Sequence, residues 1–536
     1  MTAHQDFTLI DNADVQEASV LDDGAEFFAP VQSDVLDSLL GRYQTARAKI
    51  EQLAEFANGP EHRDVFRYFV DGNCQAGHRL SGYNTVESLF DAAGAIAALN
   101  ARCWTEALNL TDVLDCMPAK RRDEWTKQIQ EMKTPDFVED TVRPTILRML
   151  SSRQQFLAER VDGVFHALSD QHVTNAPEGF NRRMIINWML SYGYVNHPRA
   201  SFIHDLRCVV AKFMGRTAPS WRLTYDLLDS LRSNTGVWVN IDGGAMRVRL
   251  YKKGTAHVEV HPDMAWRLNQ ILAHMHPQAI PSAFRTKPVR APKAYTVMRK
   301  PLPFETLDLL CQGRSQDNDY WFTLNASDDN SFKHACGVLA SIGGVPHPKD
   351  RSRYQFDYPI GPVIRELVRS GCMPDQKSHQ FYATPAAMAE EVADMAEIGD
   401  EDSVLEPSAG QGALATHLPI ERTTCVEISQ LHCEILRARG YTTHHADFID
   451  WAATTHMRFS RIVMNPPFSD GRALVHLRAA ATLLKPEGRL VAILPGSMRG
   501  KNVLPGWHLS WSGIRTGEFA DTGASVVILT ATPGAA

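Results

Sequence analysis

The sequence predicts an α/β protein with a mainly helical N-terminal region, a small α+β middle segment and a C-terminal, mostly parallel sheet. Two observations carry this prediction. Between residues 43 and 235 apolar residues recur at steps of three and four, as in TILRMLSSRQQFLAERVDGVFHALSD at 145–170, which is typical of amphipathic helices. From residue 380 onward short apolar strands alternate with helical patterns, which indicates a doubly wound parallel sheet.

Composition divides the chain into four predicted segments. Residues 1–40 contain nine Asp and Glu and no Lys or Arg, so we predict an acidic, disordered leader over 1–42. A helical domain follows over 43–290, with a short antiparallel β-meander where residues 236–260 alternate between apolar and polar. Residues 291–375 are predicted to form a basic linker and a small α+β segment, and residues 376–536 the parallel-sheet domain.

Composition also excludes several classes of protein. The chain has 44% hydrophobic and 22% charged residues, as globular proteins do. It has no run of 18 apolar residues and its N-terminus lacks the pattern of a signal peptide, so we expect a cytoplasmic protein without a membrane segment. Nine scattered cysteines without a Cys-x-x-Cys pair indicate reduced thiols. The HVEVH pattern at 257–261 is interpreted as the solvent face of the meander, and no metal site is predicted.

The first two strands of the C-terminal domain end in residues suited to bind a nucleotide-like ligand. VLEPSAGQGALATHL (404–418) is predicted to be a strand, a tight turn and a helix. Gly410 and Gly412 would let the backbone of this turn come close to a ligand at the helix N-terminus. Glu427 ends the next strand, 17 residues beyond Gly410, where an acid can accept hydrogen bonds from a ribose diol.

The next two strands add residues suited to adenine and to an amine. In HADFIDW (445–451), Asp447 could accept a hydrogen bond from an adenine amino group while Phe448 offers a stacking surface. In RIVMNPPF (461–468), Asn465 and Phe468 flank two prolines that must end the strand. No phosphate-binding Gly-x-x-x-x-Gly-Lys-Ser/Thr motif is present. The ligand predicted from these strand ends is therefore an adenosine derivative.

These motifs resemble a known family in both order and spacing. The C-terminal segment, from QFYATP at 380–385 onward, is similar to the catalytic domain of S-adenosylmethionine-dependent amino-methyltransferases. The similarity is greatest to N6-adenine DNA methyltransferases whose cofactor motifs precede the catalytic motif. QFYATP resembles the first motif of that family, EPSAGQG (406–412) its cofactor loop, NPPF (465–468) its catalytic tetrapeptide and GEFADTGASVVILTATP (517–533) its closing β-hairpin. The resemblance implies a Rossmann-like class I methyltransferase fold, with a mostly parallel sheet and a closing antiparallel hairpin.

The resemblance also implies a role for each matching residue. The implied ligand is S-adenosyl-L-methionine, with the first motif at its methionine end, Glu427 at its ribose, and Asp447 with Phe448 at its adenine. The implied cofactor-binding residues are Phe381, Tyr382, Thr384, Pro385, Glu406, Pro407, Ser408, Ala409, Gly410, Gly412, Glu427, Ile428, Asp447 and Phe448. The implied catalytic residues are Asn465, Pro466, Pro467 and Phe468. Thr384 with Pro385 also suits a helix N-cap and first turn.

The chemistry of amine methylation explains the catalytic tetrapeptide. An exocyclic adenine amine is a poor nucleophile, and the Asn465 side-chain oxygen with the Pro466 carbonyl can accept its two N–H groups and stabilise developing positive charge. The two prolines stiffen the loop, so these acceptors need not reorganise. A base in a duplex must be flipped out, and Phe468 is placed to stack on it. Methylation of cytosine C5 instead needs a cysteine after proline, and the chain has no Pro-Cys dipeptide.

The expected partner is duplex DNA, recognised in part by residues upstream of the catalytic domain. The stretch IPSAFRTKPVRAPKAYTVMRK (280–300) has six cations and no acid, so it is either a backbone-tracking segment or a solvated hinge. The candidate nucleic-acid-binding residues in it are Arg285, Lys287, Arg290, Lys293, Arg299 and Lys300. Related methyltransferases usually carry a target-recognition domain after the closing hairpin, and only about 68 residues follow Phe468 here. We therefore expect low sequence specificity or recognition through the N-terminal region.

The stretches LAERVDGVFHALSDQHVTN (157–175) and RVRLYKKGTAHVEV (247–260) give the N-terminal region a resemblance of its own. Through them, residues 43–290 resemble an uncharacterised helical region found ahead of methyltransferase domains in phage and plasmid proteins, which implies a mobile-element origin and a bacterial host or phage-infected cell.

Three alternatives for the function stay open from the sequence. The same Asn-Pro-Pro-aromatic chemistry would serve an RNA adenine or a protein glutamine amide. The third alternative is an inactive methyltransferase fold that binds DNA.

Overall fold

The computed structural model describes residues 33–75, 85–111, 113–168, 175, 179–180, 183–287, 301–323, 330–373, 383–519 and 525–534. These residues belong to two compact units, Met1–Tyr225 with Arg249–Pro292, and Asp226–Val248 with Lys293–Ala536. The four segments predicted from composition stay a prediction. Within the described part of the chain, no helix combines the length and apolarity needed to cross a membrane.

Helices and strands are numbered in chain order. The described helices are α1 Ser33–Asn58, α2 Arg63–Gln75, α3 Val86–Leu89, α4 Ala92–Asn109, α5 Val113–Cys116, α6 Ala119–Gln130, α7 Glu139–Ser151, α8 Arg153–His166, α9 His197–Phe213, α10 Trp221–Ser230, α11 Pro262–Met275, α12 Ser282–Arg285, α13 Phe304–Gln312, α14 Asn330–Ser341, α15 Gly361–Ser370, α16 Ala386–Met395, α17 Gln430–Ala438, α18 Phe448–Thr454 and α19 Arg472–Ala481. The described strands are β1 Arg183–Ile186, β2 Leu190–Ser191, β3 Tyr194–Val195, β4 Val239–Ile241, β5 Met246–Leu250, β6 Ala256–Val260, β7 Arg314–Gln316, β8 Asp319–Trp321, β9 Val345–His347, β10 Asp350–Gln355, β11 Val404–Pro407, β12 Thr423–Glu427, β13 Thr442–His445, β14 Phe459–Met464, β15 Leu484–Pro495, β16 Trp507–Trp511 and β17 Val526–Pro533.

The N-terminal region is mainly helical, as predicted, and its helices pack on buried aromatic rings. Trp104 on α4 is fully buried against Phe137, with ring centroids 5.3 Å apart. The Trp104 indole N–H donates to the Pro135 carbonyl at 2.7 Å. The pattern at 145–170 forms α7 and α8, which are separated at Ser152. The recurrence of apolar residues at steps of three and four therefore predicted these helices correctly.

The acidic leader is shorter than predicted. Helix α1 begins at Ser33, and Leu36, Leu39 and Leu40 on it are 5% exposed or less. These three leucines are spaced at i, i+3 and i+4, so they form one apolar stripe that packs into the helical core. The prediction of disorder is therefore wrong for residues 33–42, because a count of acids does not reveal the stripe. Residues 1–32 lie outside the described residues.

The region predicted as a meander contains three strands. Strand β4 pairs antiparallel with β5, and β6 pairs antiparallel with β1. The interpretation of HVEVH as a solvent face is wrong, because Glu259 and His261 are buried. Glu259 has an ion pair with Arg183 at 2.8 Å, which compensates the burial of its charge. Among the described residues, no group of three or more His, Cys, Asp or Glu is placed to hold a metal ion.

The middle segment is an α+β layer in the same compact unit as the C-terminal sheet. Strands β7, β8, β10 and β9 form an antiparallel sheet in that order. The helices α14 and α15 follow β8 and β10 in this segment, so the prediction of an α+β segment is confirmed for its described residues. Helix α15 packs on α17, and Arg439 at the end of α17 pairs with Asp357 at 3.0 Å.

The C-terminal sheet has seven strands in the order β13-β12-β11-β14-β15-β17-β16. Strands β11 to β15 run parallel, while β17 pairs antiparallel with both β15 and β16. The prediction of a mostly parallel sheet closed by an antiparallel hairpin agrees with this order. The predicted limits of the hairpin, 517–533, are wrong, because its first strand is β16 at Trp507–Trp511.

Strand order places a crevice at the centre of this sheet. Strand β11 is central, with β12 and β13 on one side and β14 on the other. The chain therefore reverses its direction of winding between β11 and β14. In open α/β sheets, ligands bind at the carboxyl ends of the strands at such a switch point. A functional site is therefore expected at the turns after β11, β12 and β14.

Replacing Arg439 by Ala is expected to destabilise the contact between the middle segment and the C-terminal sheet. The guanidinium pairs with Asp357, lies 5.1 Å from the Tyr358 ring centroid and donates to the Gln411 carbonyl, and its side chain is 14% exposed. We expect the free energy of unfolding to fall by about 1–2 kcal/mol, because a charged hydrogen bond and a cation–π interaction are removed together. Thermal unfolding of the full chain measures this change in the free energy of unfolding.

The matched control for this prediction is Arg437→Ala. Arg437 has an ion pair with Glu434 at 2.9 Å, but its side chain is 39% exposed, so we expect the free energy of unfolding to fall by less than about 0.5 kcal/mol. Equal destabilisation by the two variants would contradict the role given to Arg439.

Candidate active site

A cavity of about 300 Å³ opens where β11, β12 and β14 end. The four residues of the NPPF tetrapeptide, Asn465 to Phe468, all line it. The other predicted site residues that line it are Thr384, Glu406, Ser408, Ala409, Gly410, Glu427, Ile428, Asp447 and Phe448. Pro385, Pro407 and Gly412 do not line it, and Phe381 and Tyr382 lie outside the described residues. Four motifs far apart in sequence thus meet in one place.

The turn after β11 differs from its prediction. No α-helix follows the glycines, and the chain instead makes two 3₁₀ turns, over Ala415–His417 and Ile420–Arg422. Gly410 has φ +58° and donates its N–H to Glu427 Oε2 at 2.8 Å, so this N–H is not available at a helix N-terminus. Gly412 has φ +87°, and a Cβ there would lie 2.8 Å from Leu436 Cδ2. Gly412 therefore allows close packing of the turn on α17 and does not contact the cavity.

Glu427 joins two of the strand-end turns. Besides the bond from Gly410, its Oε1 accepts the Ser429 N–H at 2.7 Å. Burial raises the pKa of this carboxyl, and the hydrogen bonds from the backbone of Ser429 and Gly410 oppose the rise. The carboxylate lines the cavity while the backbone fixes both of its oxygens. Its position therefore does not depend on the ligand.

Glu406 is buried in the cavity wall, and only one of its two carboxyl oxygens has a hydrogen-bond partner among the described residues. The backbone of Ala415 hydrogen-bonds to its carboxyl, but among the described residues Oε2 has no hydrogen-bond partner. Burial, and then the negative charge of Glu427, raise the pKa of Glu406 well above its usual value. A buried acceptor without a partner is costly unless a ligand supplies the donor. Glu406 therefore marks the place where a cationic or N–H donor group of a ligand would bind.

Asp447 and Phe448 each have a structural contact in addition to lining the cavity. Asp447 is the N-cap of α18, and its Oδ1 accepts the Ile449 N–H at 2.8 Å. Phe448 is 3% exposed and lies in the hydrophobic core beside His476, with ring centroids 5.5 Å apart. The cap leaves Asp447 Oδ2 as an acceptor, so a cap role and a ligand contact are compatible.

Asn465 is oriented by a hydrogen bond across the cavity. Its Nδ2 donates to Thr384 Oγ1 at 3.0 Å, and Thr384 is 8% exposed. The alternative N-cap role for Thr384 is wrong, because Pro385 is the N-cap of α16 and no side chain caps this helix. Since the amide nitrogen is bound, Asn465 Oδ1 is the atom left to accept a hydrogen bond from a ligand.

The cavity is also lined by His476, Phe519 and Arg472, which the sequence did not indicate as functional. His476 on α19 lies 3.1 Å from Ser408 Oγ through Nδ1, and burial lowers the pKa of its imidazole. Phe519 is 6% exposed, lies after β16 in sequence and lines the cavity. Arg472 is exposed at the start of α19, and it is the only Lys or Arg among the described residues that line the cavity. His476 could have been found from the buried stripe Ala473, His476, Leu477 and Ala480.

The candidate nucleic-acid-binding residues of the linker lie mostly outside the described part of the chain. Arg285 ends α12 and is partly exposed, and Lys287 is exposed. Arg290, Lys293, Arg299 and Lys300 lie outside the described residues. The alternatives of backbone-tracking segment and solvated hinge therefore stay a prediction.

Comparisons with known proteins give one family and a set of solved structures. A family described as a domain of unknown function, DUF4942, matches residues 96–278. No curated protein matches the chain. Similar solved structures include TrmN from Thermus thermophilus, at 21% identity over 27% of this chain and 48% of that one, with a TM-score of 0.23. They also include the 23S rRNA methyltransferase ErmE, at 17% identity over 29% and 70% of the two chains with a TM-score of 0.24. A third is coclaurine N-methyltransferase bound to N-methylheliamine and SAH, at 24% identity over 20% and 35%, with a TM-score of 0.17. The chain spans about half the length of TrmN.

Replacing Glu406 by Gln is expected to raise thermal stability more at alkaline than at acidic pH. The folded-state pKa of Glu406 is raised by burial, so ionisation is disfavoured in the folded protein and native stability falls as pH rises above the usual value of 4.5. Gln keeps an acceptor for the Ala415 N–H and removes the buried charge. The difference in melting temperature between variant and wild type should therefore grow from about pH 5 to about pH 8.

The control for this prediction is Glu421→Gln, which removes an exposed carboxylate of the same unit. We expect no comparable rise with pH in that variant. A melting difference for Glu406→Gln that shrinks as the pH increases would contradict the assignment of a raised pKa.

Proposed function

We propose that the protein is a DNA adenine N6-methyltransferase that uses S-adenosyl-L-methionine, with low or N-terminally determined sequence specificity. The observation that carries the proposal is the orientation of Asn465. Thr384 holds the amide nitrogen at 3.0 Å, which leaves Oδ1 free in the cavity, and Pro466, Pro467 and Phe468 follow directly at the end of β14. Two rigid acceptors beside an aromatic ring are what the methylation of a planar amine requires.

The hydrogen-bond acceptors that line the cavity suit the donor groups of S-adenosylmethionine. The unpartnered Glu406 Oε2 would accept from the ammonium of the methionine part, and Glu427 from the ribose hydroxyls. Asp447 Oδ2 would accept from the adenine amine, between the apolar surfaces of Ile428 and Phe448. Ile428 is 52% exposed at the end of β12, an exposure that a bound adenine would remove. When bound, the cofactor supplies an electrophilic methyl group on a sulfonium centre.

The protein contributes orientation and charge stabilisation at the target amine. Asn465 Oδ1 and the Pro466 carbonyl would accept the two N–H groups, so partial negative charge lies against the nitrogen as it becomes positive. The Pro466 and Pro467 rings fix φ and hold both acceptors in place. Phe468 would stack on the flipped base and replace the stacking that the base loses on leaving the duplex.

The electrostatics of the cavity favour a nucleic acid as substrate. Arg472 begins α19, four residues after Phe468, lines the cavity and is exposed. No hydrogen bond or ion pair joins its guanidinium to another described residue, so this charge is available to an anionic group of the substrate. A flipped nucleotide carries phosphates at both sides, whereas a glutamine side chain carries no anion. The position of Arg472 therefore supports a nucleotide over a protein amide.

Replacing Asn465 by Ala is expected to lower the rate of methyl transfer by about 10²–10³, because one preorganised acceptor is removed from the transition state. The assay incubates the full chain with labelled S-adenosylmethionine and, separately, duplex DNA, single-stranded DNA and RNA. We expect transfer to DNA, retained cofactor affinity in the variant and full activity in the exposed control Asn502→Ala. Transfer to RNA alone, or undiminished transfer by Asn465→Ala, would overturn the proposal.

Thr384 is expected to act as a positioning residue for Asn465. In Thr384→Val the volume is kept and the acceptor for Asn465 Nδ2 is removed, so the amide can turn its nitrogen toward the substrate. We expect kcat to fall by about tenfold, the equivalent of one hydrogen bond, while KM for DNA changes little. Thr384→Ser should restore kcat because the hydroxyl returns. A change confined to KM, or no rescue by Ser, would contradict this role.

A further inference from the structure

A short hairpin in the N-terminal unit exposes three aromatic rings. Strands β2 and β3 pair antiparallel, with Ser191 opposite Tyr194. Between them Tyr192 and Gly193 have φ +52° and +82°, as in the two-residue turns that usually contain Asn-Gly. Tyr192 is 100% exposed, and Trp188 and Tyr194 are 69% and 65% exposed. Trp188 also has a positive φ, of 61°, so two large aromatic residues occupy backbone conformations that suit Gly or Asn better.

The hairpin is anchored to the unit rather than free to collapse onto it. Met189 is fully buried and donates its N–H to the Gly254 carbonyl at 2.7 Å. The Asn196 N–H donates to the Met189 carbonyl at 2.8 Å, and Val195 is 4% exposed. The Asn196 side chain caps α9. The exposed rings therefore project from a part of the backbone that is held in place, and they are exposed in the folded protein.

The turn that supports the hairpin carries positive charge. Lys252 and Lys253 are exposed in the turn between Tyr251 and Gly254, whose carbonyl accepts the Met189 N–H. The sequence stretches 179–204 and 249–258 together contain six Lys and Arg and no Asp or Glu, and the acids that directly adjoin them are Glu178, Asp205 and Glu259. One of these cations, Arg183, is paired with Glu259 on β6. Aromatic rings and cations thus share one surface, which we call the aromatic hairpin surface (Trp188, Tyr192, Tyr194, Lys252 and Lys253).

We propose that the aromatic hairpin surface binds single-stranded DNA. Bases of a single strand would stack on the exposed rings, and the two lysines would neutralise backbone phosphates. Its two lysines complement the negatively charged backbone of a nucleic acid, and none of the described residues that form the surface is acidic. Rings that stand out from the surface reach bases only where these are unpaired, which favours a single strand over an intact duplex. The choice of nucleic acid rests on the proposed function, which involves a base taken out of the duplex.

The experiment measures the binding of a fluorescent single strand of about 20 nucleotides to the full chain by anisotropy, without cofactor. Tyr192→Asn and Trp188→Asn remove the rings while supplying a residue that adopts positive φ readily, so the fold is retained. We expect each variant to bind about tenfold more weakly, as the removal of one stacked base predicts. Tyr68→Gln, at a tyrosine that is 76% exposed on α2, is the matched control and should bind like the wild type.

The lysines are tested by the salt dependence of the same binding. In Lys252→Ala with Lys253→Ala, the slope of log affinity against log salt should fall by about 0.7 for each phosphate that is no longer neutralised. The aromatic variants should keep the wild-type slope. Unchanged affinity in Tyr192→Asn and Trp188→Asn with melting temperatures intact would overturn the proposal. Loss of self-association with unchanged DNA affinity would also overturn it, because the surface would then join two copies of the chain.

The outcomes separate this inference from the proposed function. Binding that depends on the aromatic hairpin surface, in a protein that methylates no nucleic acid, would support the surface and contradict the enzyme. Methylation of DNA that depends on Asn465, with single-strand affinity unaffected by the hairpin variants, would support the enzyme and contradict the role of the aromatic hairpin surface.

Discussion

The hydrogen bond from Asn465 Nδ2 to Thr384 Oγ1, at 3.0 Å, is the contact on which the candidate site depends. It joins the end of β14 to the segment before α16, two places that lie 81 residues apart in sequence. An amide side chain offers a donor and an acceptor of similar shape, and only one of them can stabilise a nitrogen that becomes positive. Because Thr384 occupies the donor, the acceptor is left for the cavity. The prolines that follow then keep this atom at the edge of the sheet.

The two buried carboxylates that line the same cavity as Asn465, Glu406 and Glu427, have different roles. Glu427 receives N–H groups from Gly410 and Ser429, so its position is determined by the protein itself. Glu406 keeps one oxygen without a partner among the described residues. Glu427 therefore gives the strand-end turns a fixed shape, and Glu406 offers the cavity an acceptor that the donor group of a ligand can bind. The cost of leaving Glu406 unsatisfied is consistent with a site that is stabilised by its cofactor.

The sequence predicted the strand ends well because they depend on local rules. The prolines after Met464 must end β14 whatever surrounds them, and the apolar runs of β11 and β12 can only be buried. Features that depend on distant residues were missed. The expected helix after Gly412 does not form, since the Gly410 N–H is bound to Glu427 and the turn packs on α17. The exposure of Trp188 beside the β2–β3 hairpin was likewise not predicted, because the hairpin is anchored by Gly254 in another part of the chain.

The measurement that tests the account most directly is the identity of the methylated nucleoside. The full chain is incubated with unmethylated DNA and S-adenosylmethionine, the DNA is digested, and the nucleosides are separated and identified by mass spectrometry. Because the acceptors at Asn465 and Pro466 suit an exocyclic amine, we expect N6-methyldeoxyadenosine. Methylation at a ring carbon, such as C5 of cytosine, would contradict the account, since that reaction needs a cysteine nucleophile that the tetrapeptide loop does not contain.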